Sequence, residues 1–147
     1  MEWGMVIGLL GVGLCVLLCG IGSALGLKKT GQAAAGILSE DPKKFSKALV
    51  LVVLPATQGI YGFVFGIIAM SSATAATTIY EGFQVLLAAL PLAFTGFFSA
   101  MFQGATAASC IHAVAKKESL SGKLILFPAM VETYAILALV ISILLVF

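Results

Sequence analysis

The chain has 147 residues, of which 61% are hydrophobic and only 10% charged, with a net charge of +2. A soluble domain carries about 25% charged residues, and one of this length could not cover so apolar an interior with polar surface. A water-soluble globule is therefore excluded. So is a nucleic-acid footprint, because the eight basic residues, all lysines, fall in two places only.

The first apolar run covers residues 3–27, longer than the roughly 20 residues that cross a hydrocarbon core. A cleaved leader is the competing reading. The run lacks a basic start, its one early charge is Glu2, and it is glycine-laced and too long. Gly4, Gly8, Gly11, Cys15, Cys19, Gly22 and Gly26 recur every three or four residues. Such small-residue faces let membrane helices approach closely. Packing inside one bundle would explain the face, but Gly13 and Gly20 narrow the helix on further sides. The whole glycine face is accordingly expected at the inner wall of a ring of subunits.

Lys28, Lys29, Lys43, Lys44 and Lys47 follow, expected in the loop before a second run over 48–71. A short connection over 71–82 leads to a third run over 83–111. Lys116, Lys117 and Lys123 then precede the fourth, over 124–147. The expected fold is all-α, four transmembrane helices in two hairpins. Positive loops stay cytoplasmic, so both termini and the 71–82 connection are expected on the opposite side of a cell membrane. The lysines also suit anionic lipid headgroups. Cys15, Cys19 and Cys110 sit in apolar helix at no metal spacing and read as packing residues. His112, at a membrane edge, reads as solvated.

Sliding the chain by 73 residues aligns the hairpins. Leu14 falls on Leu87, Gly31 on Gly104, Lys43 and Lys44 on Lys116 and Lys117, Pro55 on Pro128, and Tyr61 on Tyr134. The repeat is parallel and divides the chain into 1–73 and 74–147, unlike the inverted repeats of many transporters. The copies differ where chemistry is expected: Glu132 corresponds to Gly59, and Gln103 to Thr30. Four helices share one carboxylate.

Glu132 is the only charge between Leu124 and Phe147, and a carboxylate at that depth costs a few kcal/mol or more. It lies nine residues past Lys123, roughly 13 Å into its helix. Gln58, eleven residues past Lys47, lies roughly 16 Å in, and Gln103, nine before His112, roughly 13 Å. Three helices thus bring an oxygen to one level. Leu54, Thr57, Gln58 and Tyr61 share one face of the second helix. Beside them Pro55, which has no N–H, loosens the carbonyls of the preceding turn. An all-oxygen set suits a hard cation, and one carboxylate suits a monovalent one. A proton needs the carboxylate alone, so the neutral oxygens favour Na⁺, with H⁺ as the alternative.

The segments LPATQGIYG, FQGA and FPAMVETYAIL resemble the proteolipid, or K, subunit of the V-type ATPase rotor ring, in its Na⁺-transporting bacterial branch. The resemblance covers essentially the whole chain. It implies Na⁺ ligands at the Leu54 carbonyl, Thr57, Gln58, Gln103 and Glu132, with Tyr61 donating a hydrogen bond to Glu132. It further implies a ring of identical subunits, a stator subunit supplying a cation, and central-stalk subunits at the cytoplasmic loops. No phosphate-binding loop is present, so no nucleotide is expected on this chain and it is not catalytic by itself. A small four-helix drug or cation transporter is the competing class; it would more often expose aromatic residues to a cavity and needs no parallel duplication. A structural channel protein is a further one; it gives no reason for Gln58, Gln103 and Glu132 to share a depth.

Overall fold

The computed structural model describes residues 3–147, and they are helical almost throughout. Glu2 lies outside the described residues. Helix α1 runs Trp3–Glu40, α2 Phe45–Val53, α3 Thr57–Ala75, α4 Ile79–Lys116, α5 Ser121–Leu124 and α6 Leu126–Val146. Short 3₁₀ turns at Leu54–Ala56 and Glu118–Leu120 join α2 to α3 and α4 to α5. Four spans result, Trp3–Glu40, Pro42–Ala75, Ile79–Lys116 and Glu118–Val146, each long and apolar enough to cross a membrane.

The helices outrun the apolar runs on the lysine side. Lys28 and Lys29 are not in a loop, because α1 continues to Glu40, roughly 20 Å further at 1.5 Å per residue. The segment is rich in good helix formers, and it buries Ala33, Ala34 and Ile37 with Ala48, Leu51, Ile111 and Val114 in a second core. The connection shrinks to Asp41 and the turn Pro42–Lys44, where the Asp41 carboxylate accepts from the Lys43 N–H at 3.1 Å. At the same end Lys47 pairs with Glu118, and Lys44 donates to the Ala115 carbonyl at 2.9 Å, tying the two hairpins together. At the opposite end a capping box opens α4: Thr78 Oγ1 accepts from the Glu81 N–H at 3.2 Å. The Glu81 carboxylate in turn accepts from the Thr78 N–H at 3.0 Å and the Thr77 N–H at 2.7 Å.

In cross-section α1 and α4 form a central pair, α3 leans on α1, and α6 leans on α4. The α3 and α6 helices also touch each other, whereas α1 and α6 form no substantial interface. The glycine face of α1 is spent within this bundle. A Cβ on Gly22 would stand 2.5 Å from the Phe97 carbonyl oxygen, and one on Gly11 2.6 Å from the Leu86 Cα. On Gly26 it would meet the Ala100 oxygen at 2.5 Å. This corrects the expectation that the whole face lines a ring interior: the α4 backbone fills it at Gly11, Gly22 and Gly26, and Ala73 of α3 meets Gly8. Only Gly13, Gly20, Gly31 and Gly36 of α1 have nothing within 4 Å. Cys15 and Cys19 are fully buried in the same seam as free thiols, as their packing role required.

Candidate cation site

Helix α3 starts where Pro55 breaks the regular ladder. Through Leu54–Ala56 the chain tightens to a 3₁₀ turn, and the Leu54 carbonyl accepts from the Thr57 N–H. The Thr57 hydroxyl lies 3.0 Å from the same carbonyl oxygen and 3.2 Å from Gln58 Oε1. Three oxygens therefore crowd around a single hydroxyl proton. The Leu54 carbonyl already has the Thr57 N–H, which leaves the hydroxyl proton for Gln58 Oε1, and an all-oxygen trio of this kind suits a hard cation.

The neutral oxygens lead to the carboxylate through the glutamines. Gln58 Nε2 donates to Gln103 Oε1 at 2.7 Å, and Gln103 Nε2 donates to Glu132 Oε2 at 3.0 Å. The Tyr61 hydroxyl donates to the other carboxylate oxygen, Oε1, at 2.5 Å. Both glutamines are fully buried, while Glu132 and Tyr61 are half-buried. Leu54, Thr57, Gln58, Tyr61, Gln103 and Glu132, all six expected from the sequence, thus form one hydrogen-bonded set across three helices. Among the described residues the ion pairs are Lys44–Asp41 and Lys47–Glu118, so no basic side chain neutralises Glu132. Nor does any group of three or more His, Cys, Asp or Glu gather there as for a transition metal.

The equivalent place in the first hairpin is closed. Thr30, at the Gln103 position, turns its hydroxyl to the Val52 carbonyl at 2.9 Å. Gly59, at the Glu132 position, donates its N–H to Ser23 Oγ at 2.7 Å, and a Cβ there would already be 3.0 Å from that oxygen. A larger residue there would have to displace the Ser23 side chain.

Sequence reasoning passed over the buried serines. Ser23 Oγ accepts from the Gly59 N–H, one turn past Pro55. Ser142 accepts from the Leu92 N–H beside Pro91 at 3.2 Å. Ser99 accepts from Gln58 Nε2 at 3.1 Å and donates to the Val131 carbonyl at 3.0 Å. One signal pointed to Ser99: it precedes Gln103 by four residues, hence shares its helix face. Among the described residues no buried side-chain nitrogen or oxygen lacks a partner.

On the surface of the subunit beside the site, a groove of about 500 Å³ runs between α4 and α6, lined by Phe94, Thr95, Phe98, Ser99, Phe102, Val131 and Tyr134. It is the aromatic feature that a small transporter would also offer. Comparison with known proteins decides between the classes. The family model for the ATP synthase C-subunit matches the chain twice, over residues 10–69 and 86–145. The chain is 47% identical over 143 residues to the "V-type sodium ATPase subunit K" of Enterococcus hirae, covering 97% of this chain and 92% of that protein. It is 38% identical to the "A-type ATP synthase subunit K" of Methanocaldococcus jannaschii over 96% of this chain and 62% of that one. With the 16 kDa proteolipid of the V-type proton ATPase of Rattus norvegicus the identity is 24%, over 98% and 93% of the two chains. The chain belongs to the ATP synthase C-subunit family: it is a multi-pass membrane proteolipid of the rotary ATPases, an ion-carrying rotor subunit without catalytic activity of its own.

Proposed function

We propose that the cargo of this rotor subunit is Na⁺, one ion per chain, held by the Leu54 carbonyl, Thr57, Gln58, Gln103 and Glu132, with Tyr61 orienting the carboxylate. The observation that carries the reading is the trio of Leu54, Thr57 and Gln58 oxygens around one proton, joined through Gln103 to Glu132, the only charge between Leu124 and Phe147. A proton site needs none of these neutral oxygens, while an alkali ion needs several to replace its hydration shell.

Copies of the chain would close into a ring. Glu132 sits on α6, the span least buried within the subunit, with Pro128, Ala135, Ala138 and Ser142 its buried residues, and in the ring this helix would lie outermost. A filled site is nearly neutral and can turn past lipid, whereas a bare carboxylate would meet the charge penalty. A stator subunit would bring a cation to Glu132, release the ion, and let the site reload from the other side. The lysine-rich ends are assigned to the cytoplasm, where central-stalk subunits would dock, and both termini to the opposite side. We further assign residues 1–73 and 74–147 to the two copies of the duplicated hairpin. With the first-copy site closed, each turn of the ring moves fewer ions per hairpin, so each ATP can work against a steeper gradient.

The test is labelling of the purified ring by a hydrophobic carbodiimide, which attacks protonated carboxylic acids and can enter by the Phe94–Phe98–Phe102 groove. Glu132 should be the one acid labelled from the membrane. Na⁺ should slow the reaction, and K⁺ at equal ionic strength should protect far less. Labelling that follows pH and ignores Na⁺ would instead assign the ring to H⁺, the cargo named for the proton ATPase relatives. Modification elsewhere, with Glu132 untouched, would remove the site assignment.

A further inference from the structure

We infer that Ser99 is a positioning residue that fixes which way the Gln58 amide faces, and so presents oxygen to the cation; the inference rests on the Na⁺ reading above. The Val131 carbonyl can only accept a hydrogen bond. Ser99 Oγ, 3.0 Å away, therefore commits its single proton there. Only lone pairs remain on Ser99, and the Gln58 amide 3.1 Å away must turn its NH₂ toward them. The second proton of that NH₂ goes to Gln103 Oε1 at 2.7 Å. Gln58 Oε1 is thereby left on the other side, beside Thr57 Oγ1 and the Leu54 carbonyl.

A flipped amide would set an oxygen against the Ser99 lone pairs and aim two N–H donors at the place of the cation. Gln58 is 0% exposed and Ser99 only 5%, at the wall of the groove lined by Phe94, Phe98 and Phe102, so the protein supplies the hydrogen-bond partners of both. The direction then passes on. Gln103 accepts from Gln58, which leaves its own NH₂ for Glu132 Oε2. A carbonyl of α6, at Val131, thus sets the polarity of a circuit through α4 and α3 that ends on the neighbouring residue of α6.

The experiment measures the Na⁺ concentration that half-protects Glu132 from carbodiimide in rings of the wild type, Ser99→Ala, Ser99→Thr, Gln58→Leu and the Ser99→Ala/Gln58→Leu double variant. Ser99→Ala should raise it about tenfold, the scale of one buried hydrogen bond to the site. Ser99→Thr keeps the hydroxyl and should stay close to wild type. In the Gln58→Leu background Ser99→Ala should add nothing, because a residue acting only through Gln58 has no effect once Gln58 is gone. A Ser99→Ala ring with wild-type protection would overturn the inference, as would independent effects that multiply in the double variant. Should the alanine ring fail to assemble, Ser99→Cys, which keeps the volume and weakens both hydrogen bonds, is read in the same way. A wild-type ring with no Na⁺ protection defeats the Na⁺ reading itself; a protected wild type with an indifferent Ser99 defeats this inference alone.

Discussion

Each oxygen of the Glu132 carboxylate has one donor, Tyr61 on Oε1 and Gln103 Nε2 on Oε2. Hydrogen bonds to a charged group are worth about 1.5–3 kcal/mol, so removing either donor should weaken the ionised form that binds the cation. Tyr61→Phe keeps the ring and loses only the hydroxyl. It should raise the Na⁺ concentration that half-fills the site about tenfold, read as ²²Na⁺ binding to the purified ring. Gln103→Leu should cost more, because it also orphans the second proton of the Gln58 amide. Unchanged binding in both variants would take these residues out of the site. That Gln58, Gln103 and Glu132 share a depth was legible in the sequence, since polar side chains inside the apolar runs are few and depth could be counted from Lys47, Lys123 and His112. The direction of each amide was not, because it depends on which partner across the helix interface can only accept.

At the scale of the helix, Gly11, Gly22 and Gly26 bring α1 against the α4 backbone, while Gly8 meets Ala73 of α3. The relevant contacts are backbone to backbone, as at Gly22 against Phe97, so no side chain can swing aside. Even the smallest substitution should therefore fail there. Gly22→Ala and Gly26→Ala should destabilise the subunit by about 1–3 kcal/mol, the range for overpacking. Gly13→Ala, with nothing within 4 Å, should leave its stability unchanged or slightly improved. Thermal unfolding in detergent separates the two groups, and equal stability would contradict the packing of α1 on α4. The sequence showed the stripe but not its partner. A small-residue face is equally suited to a neighbour in the same chain or in another, and only the tertiary arrangement chose α4.

For the whole molecule, the outer surface remains apolar on every span. Leu10 and Leu17 of α1, Phe63 and Ile67 of α3, Phe98 and Phe102 of α4, and Leu137 and Leu144 of α6 are all exposed in the single chain. Lipid can cover these faces, and so can further copies of the chain. A closed ring should appear in mild detergent as a particle many times the subunit mass, which native mass spectrometry measures. A monomer or dimer would contradict the rotor assembly. The Lys47–Glu118 pair that joins the hairpins is exposed on both sides and, like most surface ion pairs, contributes at most about 1 kcal/mol. Cohesion between the hairpins therefore rests chiefly on the α1–α4 seam, with the α3–α6 contact and the Gln58–Gln103 and Tyr61–Glu132 hydrogen bonds beside it.

By itself the sequence determined the solvent, the number of spans, the parallel duplication and the set of polar residues at mid-depth. These follow from composition, length and periodicity, which are properties of the chain taken in order. Tertiary structure decided what depends on two helices at once. It extended α1 past Lys28 and Lys29, because the 33–37 face finds apolar cover on α2 and α4. It spent the glycine stripe inside the subunit and filled the vacant first-copy site with Ser23. It also placed Ser99 between the Val131 carbonyl and Gln58. Serine carries no signal of depth or charge in an apolar run; its role is set by the acceptor or donor that a neighbouring helix presents to it.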